Sequence, residues 1–256
     1  MRDNRTKRIM RSGGLALGVS ATIPDPFVTE VLGGAGFDFV LIDTEHSPIA
    51  IDQLQMMLIA LRSSASTVLV RPAANDPTLI KQILDLGAEG LVVPEVVDAA
   101  AAAAAVAAGR YPPLGTRGFG PRRAARLDGG RPAYLARADD EVAVLVMIES
   151  AAAVADIDGI LKTPGLDGIM VGPADLAVSL GHLAELNHPD VRAAIVGVRE
   201  ACERHSVPFG IFAATEQAAR EWSPGAGFMT IGADTQFLDQ GIAKSRAFAQ
   251  QLRESR

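Results

Sequence analysis

The sequence has little that would place this protein outside the cytoplasm or on nucleic acid. It contains one cysteine, Cys202, which excludes an intrachain disulfide and is typical of a reducing compartment. Long basic runs are absent and the formal net charge is −6, so nucleic acid is not an expected partner. The basic residues 1–14 precede no signal-peptide core, and no uncharged apolar run reaches the ~18 residues of a membrane span. We therefore expect a soluble, cytoplasmic protein.

Apolar segments of strand length alternate with helical patterns along the chain, which is 48% hydrophobic. Parallel strands that are buried on both faces are continuously apolar, and alternating β and α units indicate a parallel sheet. The predicted strands lie at 15–19, 39–42, 67–70, 90–93, 144–148, 168–171, 208–212 and 228–231. Eight such units in 256 residues are typical of a closed (β/α)8 TIM barrel. The alternative is an open doubly wound sheet, but no glycine-rich dinucleotide fingerprint follows the first strand.

We accordingly predict one barrel domain over residues 1–256, with a basic N-terminal arm at about residues 1–12. Residues 111–140 interrupt the pattern with a long segment rich in Gly, Pro and Arg, in which one short helix is predicted near Tyr134. A single helix is predicted over 151–161, and a final helix over 235–253.

In such barrels the active site lies at the C-terminal ends of the strands, so residues that follow the strands are candidates for chemistry. They are Asp43, Glu45 and His46 after the second strand, Arg71 after the third, Glu95 after the fourth, Glu149 after the fifth and Asp175 after the sixth. Two carboxylates, Glu149 and Asp175, suit a hard cation such as Mg²⁺ or Mn²⁺. The alternative is that each carboxylate only caps the helix that follows it.

Other residues near these strand ends also have a structural and a functional interpretation. His46 is either a structural histidine or a general base. Arg71 either pairs with a carboxylate or binds a substrate oxyanion. The segment Gly172–Asp175 joins a glycine, which permits close approach of a ligand, to a helix start with free N–H groups for an anion. We interpret the remaining histidines, His182, His188 and His205, as surface residues, and Cys202 as a small buried apolar residue.

Six segments together resemble one family. They read FDFVLIDTEHSP, LVRP, LDLGAEGLVVPEV, YPPLGTRGFGP, VMIES and MVGPADLAVSLG, and they occur in this order between residues 37 and 181. In sequence and spacing they resemble the HpcH/HpaI aldolases, which are metal-dependent class II pyruvate aldolases. This family includes 4-hydroxy-2-oxoheptanedioate and 2-keto-3-deoxy sugar-acid aldolases. The resemblance extends over roughly residues 10–250.

The resemblance implies a role for each matching residue. Glu149 and Asp175 would bind the metal, His46 would be the acid/base residue, and Arg71 would stabilise an enolate. The backbone at Gly172, Pro173, Ala174 and Asp175 would hold the substrate carboxylate. Asp85 matches an aspartate that raises the basicity of the histidine. Its position late in a helix places it toward the opposite end of the barrel, and whether it would act within the subunit or across a subunit contact is left open.

Two further positions bear on the substrate. Met147 lies two residues before Glu149, where family members often have glutamine, and a thioether cannot supply the hydrogen bonds of an amide. Phe212 matches a position that borders the aldehyde pocket, and its ring would favour a small or apolar acceptor.

The function implied is reversible cleavage of a 4-hydroxy-2-oxo acid to an aldehyde and pyruvate, or a related 2-oxo acid such as hydroxypyruvate. The cofactor would be Mg²⁺ or Mn²⁺, with Co²⁺ or another divalent ion as alternatives. The resemblance also implies a homo-oligomer, a trimer or hexamer, with the C-terminal helix packing on a neighbouring subunit. One alternative is a citrate-lyase-like enzyme acting on CoA esters, in which Arg117, Arg122 and Arg123 would bind the nucleotide. Another is a non-catalytic ligand-binding barrel.

Overall fold

Eight parallel strands close into a barrel in chain order, with β8 hydrogen-bonded to β1. A computed structural model of the chain describes residues 1–183 and 185–255, and these counts refer to that part. The strands are β1 (Ala16–Ala21), β2 (Phe39–Asp43), β3 (Thr67–Arg71), β4 (Gly90–Val93), β5 (Ala143–Ile148), β6 (Gly168–Val171), β7 (Phe209–Phe212) and β8 (Phe228–Ala233). The predicted (β/α)8 barrel is thereby confirmed, and the open-sheet alternative is wrong.

Helices surround the barrel. They are α1 (Arg5–Arg11), α2 (Pro26–Gly34), α3 (Ile51–Ala60), α4 (Pro77–Asp85), α5 (Ala99–Gly109), α6 (Arg122–Leu127), α7 (Arg131–Glu141), α8 (Ala151–Ala155), α9 (Ile157–Leu161), α10 (Pro173–Ser179), α11 (Pro189–His205), α12 (Glu216–Trp222) and α13 (Asp234–Glu254), with a 3₁₀ turn at Leu61–Ser63. None of the helices in residues 1–183 and 185–255 is both long enough and apolar enough to cross a membrane.

The basic N-terminal arm, for which the sequence predicted no secondary structure, is largely helical, because Asn4 caps α1 and Lys7 is buried in an ion pair with Asp167 at 2.8 Å. Two local predictions need correction. The long segment after α5 contains two helices, α6 and α7, and only the second includes Tyr134. The helix predicted over 151–161 is divided at Asp156, whose carboxylate accepts a hydrogen bond from the Ala99 N–H at 2.8 Å.

The barrel interior is filled by side chains rather than open. The rings of Phe39 and Phe228 meet edge to face, with centroids 6.4 Å apart. Glycines make room for these rings, since a Cβ at Gly18 would lie 2.3 Å from the Phe39 ring and one at Gly210 would lie 2.4 Å from the Phe228 ring. A packed interior leaves the C-terminal rim of the strands as the place where substrate can bind.

Candidate active site

Asp43 and Arg71 form a buried ion pair at the C-terminal rim. Parallel pairing of β2 with β3 puts these two residues opposite each other in register. Arg71 donates two hydrogen bonds to Asp43, from Nε to Oδ1 at 2.9 Å and from Nη2 to Oδ2 at 2.6 Å. Burial raises the pKa of Asp43, but the hydrogen bonds and charge of Arg71 outweigh it, so this pKa is lowered. The pair is therefore ionised and fixes the direction of the guanidinium.

The turn after β2 is organised by the same carboxylate. Asp43 Oδ1 accepts hydrogen bonds from the backbone N–H groups of Glu45, at 3.0 Å, and His46, at 3.3 Å. The His46 side chain is 58% exposed, so its imidazole is accessible to a ligand at the rim. The Asp-x-Glu-His sequence thus forms a compact turn in which Asp43 stabilises the backbone and the imidazole of His46 is accessible to a substrate.

Glu45 is a partly buried carboxylate whose role the sequence did not reveal. Its Oε2 lies 3.1 Å from Arg71 Nη1 and 3.6 Å from His46 Nε2, yet this oxygen makes no hydrogen bond within the part of the chain described. Burial, to which the negative charge of Glu149 adds, raises the pKa of Glu45 to about 7. The sequence did indicate a candidate here, because Glu45 is an acidic residue two positions after the end of β2. That its side chain points toward Arg71 depends on the conformation of the turn.

Glu149 follows strand β5, and Asp175 lies in the first turn of α10, the helix that follows the neighbouring strand β6. β5 pairs with β6 with Ile148 opposite Val171, which brings Glu149 beside Gly172. A Cβ at Gly172 would lie 3.3 Å from Glu149 Oε2 and 2.9 Å from the Met147 methyl, so glycine permits this close approach. Burial raises the pKa of Glu149, and the nearby charge of Asp175 acts in the same direction.

The residues present fit a divalent cation. Asp43, Glu45, Glu149 and Asp175 are four carboxylates near one guanidinium, which leaves three uncompensated negative charges if all are ionised. Such a site repels an anionic oxo acid unless a cation is bound, because like charges in a low-dielectric site interact strongly. Carboxylate oxygens are the ligands that Mg²⁺ and Mn²⁺ prefer. Glu45 Oε2, which lies 3.1 Å from Arg71 Nη1 but makes no hydrogen bond within the described residues, is a further acceptor.

Met147 and Phe212 both contact Arg71. The Met147 sulfur lies 3.7 Å from Arg71 Nη1, and the Phe212 ring centroid lies 5.4 Å from Arg71 Cζ. The sulfur is a weak acceptor, so Nη1 is not held by a strong partner on that side. The edge of Arg71 that faces away from Asp43 is therefore bordered by an aromatic ring, a thioether and the Glu45 carboxylate.

The anion cradle predicted at Gly172–Asp175 forms the start of α10. Gly172 is the N-cap residue, and no side chain caps the helix. Pro173 has no N–H, so the first free amides belong to Ala174 and Asp175, both exposed. These amides lie near Glu149, so the structure is compatible with the prediction that they bind the substrate carboxylate.

Asp85 lies apart from these residues. It is the last residue of α4, which runs from the rim toward the end of the barrel where the strands begin. Its carboxylate pairs with Arg117 at 2.7 Å, and Arg117 is fully buried between Tyr111 and Tyr134. A role for Asp85 in catalysis stays a prediction that depends on a neighbouring subunit.

The predicted surface histidines are partly buried and paired. His205 contacts Asp158 at 2.8 Å, and His182 contacts Asp190 at 3.0 Å. The rings of His182 and His188 stack with centroids 3.5 Å apart and planes inclined by 15°. Nearly parallel stacked rings cannot both direct a ring nitrogen at one ion, so we do not interpret this group as a metal site.

A closed barrel whose rim gathers carboxylates, an arginine and an accessible histidine defines a (β/α)8-barrel enzyme. Comparison with known proteins specifies its family. Residues 21–240 match the family model described as HpcH/HpaI aldolase/citrate lyase. The 5-keto-4-deoxy-D-glucarate aldolases of Klebsiella pneumoniae and Salmonella paratyphi A are each 40% identical over 234 residues, which is 90% of this chain and 91% of the relative.

Solved structures of similar proteins indicate the same family. A HpcH/HpaI aldolase/citrate lyase family protein from Burkholderia cenocepacia is 37% identical, with a TM-score of 0.91 over 98% of this chain and 99% of that one. The citrate synthase SbnG is 30% identical, with a TM-score of 0.87 over 97% and 98% of the two chains. This chain belongs to the HpcH/HpaI aldolase/citrate lyase family and is an enzyme of the aldehyde-lyase class, so the non-catalytic alternative is wrong. The aldolases of this family depend on a divalent metal ion.

The CoA-ester alternative finds little support in the arginines it would use. Arg117 is buried and paired with Asp85. Arg123 donates to the backbone carbonyl oxygens of Leu86 and Leu58, at the C-terminal ends of α4 and α3. Of the three, Arg122 alone is exposed, which leaves too little positive charge for a nucleotide.

Proposed function

We propose that this protein cleaves a 4-hydroxy-2-oxo acid reversibly into pyruvate, or hydroxypyruvate, and an aldehyde. The relatives named 5-keto-4-deoxy-D-glucarate aldolases support a deoxy-keto sugar diacid as the cleaved substrate. The observation that carries the proposal is the excess of carboxylates, including Glu149 and Asp175, around Arg71 and His46 at one rim. This arrangement supplies a cation site, an oxyanion partner and a base within one group of side chains.

Each proposed residue has a part that its surroundings permit. Glu149 and Asp175 would hold Mg²⁺ or Mn²⁺, which when bound acts as a Lewis acid toward the 2-oxo acid. The amides of Ala174 and Asp175 would bind the substrate carboxylate. His46 would accept the proton of the C4 hydroxyl as the C3–C4 bond breaks. Asp85 of a neighbouring subunit would act through His46.

The remaining residues would stabilise charge and shape the pocket. Arg71 is oriented by Asp43 through Nε and Nη2, and its Nη1, which is ion-paired with Glu45 Oε2 at 3.1 Å but makes no hydrogen bond to it, would donate to the oxygen that becomes negative in the enolate. Met147 and Phe212 border that edge with apolar surface. A Schiff base is not part of the proposal, because the four lysines, at positions 7, 81, 162 and 244, all lie away from the C-terminal strand ends.

We also propose a cytoplasmic homo-oligomer, a trimer or hexamer. Helix α13 supports this proposal, because almost all of its residues are exposed and five large apolar side chains are among them: Phe237, Leu238, Ile242, Phe248 and Leu252. An isolated exposed apolar face of this kind is typical of a contact with another chain. Light scattering coupled to gel filtration measures the subunit number, and a monomer would contradict the proposal.

The function is tested by pyruvate release from a 4-hydroxy-2-oxo acid, coupled to lactate dehydrogenase. We expect activity with Mg²⁺ or Mn²⁺, loss in excess EDTA and recovery when the metal is restored. His46→Ala should lose about 10²–10⁴-fold in kcat while still binding metal. Cleavage that persists after complete metal removal would refute the metal-dependent mechanism, and undiminished turnover in His46→Ala would refute the role of the base.

A further inference from the structure

Glu95 has a backbone conformation that its residue type disfavours. Its φ is 58°, and it shares positive φ with Ser206 alone among the non-glycine residues of the described ranges. Ser206 follows the last turn of α11, where a left-handed residue commonly ends a helix. Glu95 has no such reason, because it follows Pro94 after β4 and caps no helix. A non-glycine residue is held in this region only when its surroundings require it.

The conformation of Glu95 directs one N–H group at the candidate metal site. The backbone N–H of Glu95 donates to Glu149 Oε1 at 2.7 Å. An N–H hydrogen bond to a carboxylate is charge-assisted and stronger than one between neutral groups. It acts against burial, which raises the pKa of Glu149, by stabilising the ionised form that a cation needs.

The same bond distinguishes the two oxygens of Glu149. Oε1 accepts the hydrogen bond from Glu95. Oε2 points toward the end of strand β6, where it lies 3.3 Å from the position that a Cβ at Gly172 would take. The Glu95 side chain is exposed and makes no hydrogen bond in the part of the chain described. The contact therefore belongs to the backbone of Glu95 and would be preserved by any residue that tolerates positive φ.

We propose that Glu95 is a positioning residue: its left-handed backbone holds Glu149 Oε1 so that Oε2 is presented to the divalent cation. This inference rests on the proposed function, in which Glu149 is a metal ligand. It assigns the role to the backbone conformation rather than to the carboxylate of Glu95. Outer groups that orient a ligand commonly contribute ten- to a hundredfold to metal affinity.

The test is a series of substitutions that separates backbone from side chain. Glu95→Asn and Glu95→Gly remove the carboxylate but tolerate positive φ, whereas Glu95→Val disfavours it. The dissociation constant of Mn²⁺ for the metal-free protein is measured by electron paramagnetic resonance. We expect Asn and Gly to stay within about twofold of the wild type and Val to bind about tenfold more weakly.

Ser206→Val is the matched control. It places the same β-branched side chain at a positive φ of 55°, at the end of α11 that leads into β7, on the far side of the barrel from the rim. We expect it to lower the melting temperature without changing the Mn²⁺ dissociation constant. If Glu95→Val does not fold, Glu95→Ala, which is less restricted at positive φ than valine, replaces it with a smaller expected loss of about threefold.

Two results would overturn the inference. If Glu95→Asn, Glu95→Gly and Glu95→Val all weaken Mn²⁺ binding equally, the role belongs to the side chain. If Glu95→Val leaves Mn²⁺ binding unchanged, the backbone contact is not needed. Glu149→Gln separates this from the underlying proposal, since it should reduce Mn²⁺ binding by at least a hundredfold. Wild-type Mn²⁺ binding in Glu149→Gln would reject Glu149 as a ligand, whatever the result at position 95.

Discussion

Asp43→Ala should destabilise the protein more than any ordinary surface substitution. The side chains of Asp43 and Arg71 are 7% and 10% exposed. Removing the carboxylate leaves the Arg71 guanidinium buried without its bidentate partner and frees the N–H groups of Glu45 and His46. Breaking a buried ion pair from one side costs about 3–5 kcal/mol in the free energy of unfolding. The turn that carries His46 should loosen at the same time.

This cost can be read from the melting temperature. For a chain of this size, about 1 kcal/mol corresponds to roughly 2–4 °C, so Asp43→Ala should melt about 10 °C lower than the wild type. Scanning fluorimetry on metal-free protein measures the shift. The kcat of the Asp43→Ala variant for pyruvate release should also fall, by about 10²-fold, because Arg71 is no longer held toward the substrate.

Asp76→Ala is the matched control. Asp76 caps α4 by accepting from the N–H groups of Thr78 and Leu79, so the same chemical change removes an exposed helix cap. That loss should cost about 1 kcal/mol and leave turnover unchanged. A shift below about 2 °C in Asp43→Ala, or one no larger than in Asp76→Ala, would refute the view that this ion pair is a principal support of the rim.

Two further predictions concern the substrate and the cation. Met147→Gln should lower the KM for the 2-oxo acid by about two- to tenfold at similar kcat, because an amide N–H beside Arg71 can donate a hydrogen bond to a substrate oxygen, which the thioether cannot. Met170→Gln, at a fully buried barrel position, should only destabilise, and a raised KM in Met147→Gln would contradict the prediction. Mn²⁺ affinity should rise between about pH 6 and pH 8, since deprotonation of Glu45, whose pKa is about 7, adds negative charge to the site. Titration calorimetry measures this dependence, which Glu45→Gln should flatten; an equally steep dependence in that variant would assign it to another group.

The sequence was sufficient to predict the barrel and the residues that follow its strands. Continuous apolar segments such as Phe39–Ile42 indicated strands buried on both faces, and the structure buries them fully. Strand ends and family motifs identified Glu149, Asp175, His46 and Arg71 as candidate site residues. The sequence did not predict helix α1, because this basic segment becomes buried only when Asp167 and Val142 accept hydrogen bonds from Lys7.

Local sequence thus determined which residues lie at the C-terminal rim, because strand periodicity and chain order fix the end at which each side chain emerges. The tertiary structure alone decided how those residues act on one another. Register between β2 and β3 pairs Asp43 with Arg71, and the turn after β2 buries Glu45 without a hydrogen bond for Oε2. The left-handed backbone of Glu95 holds Glu149 across 54 residues of sequence. Such contacts depend on distances between strands that are remote in sequence, and no local pattern records them.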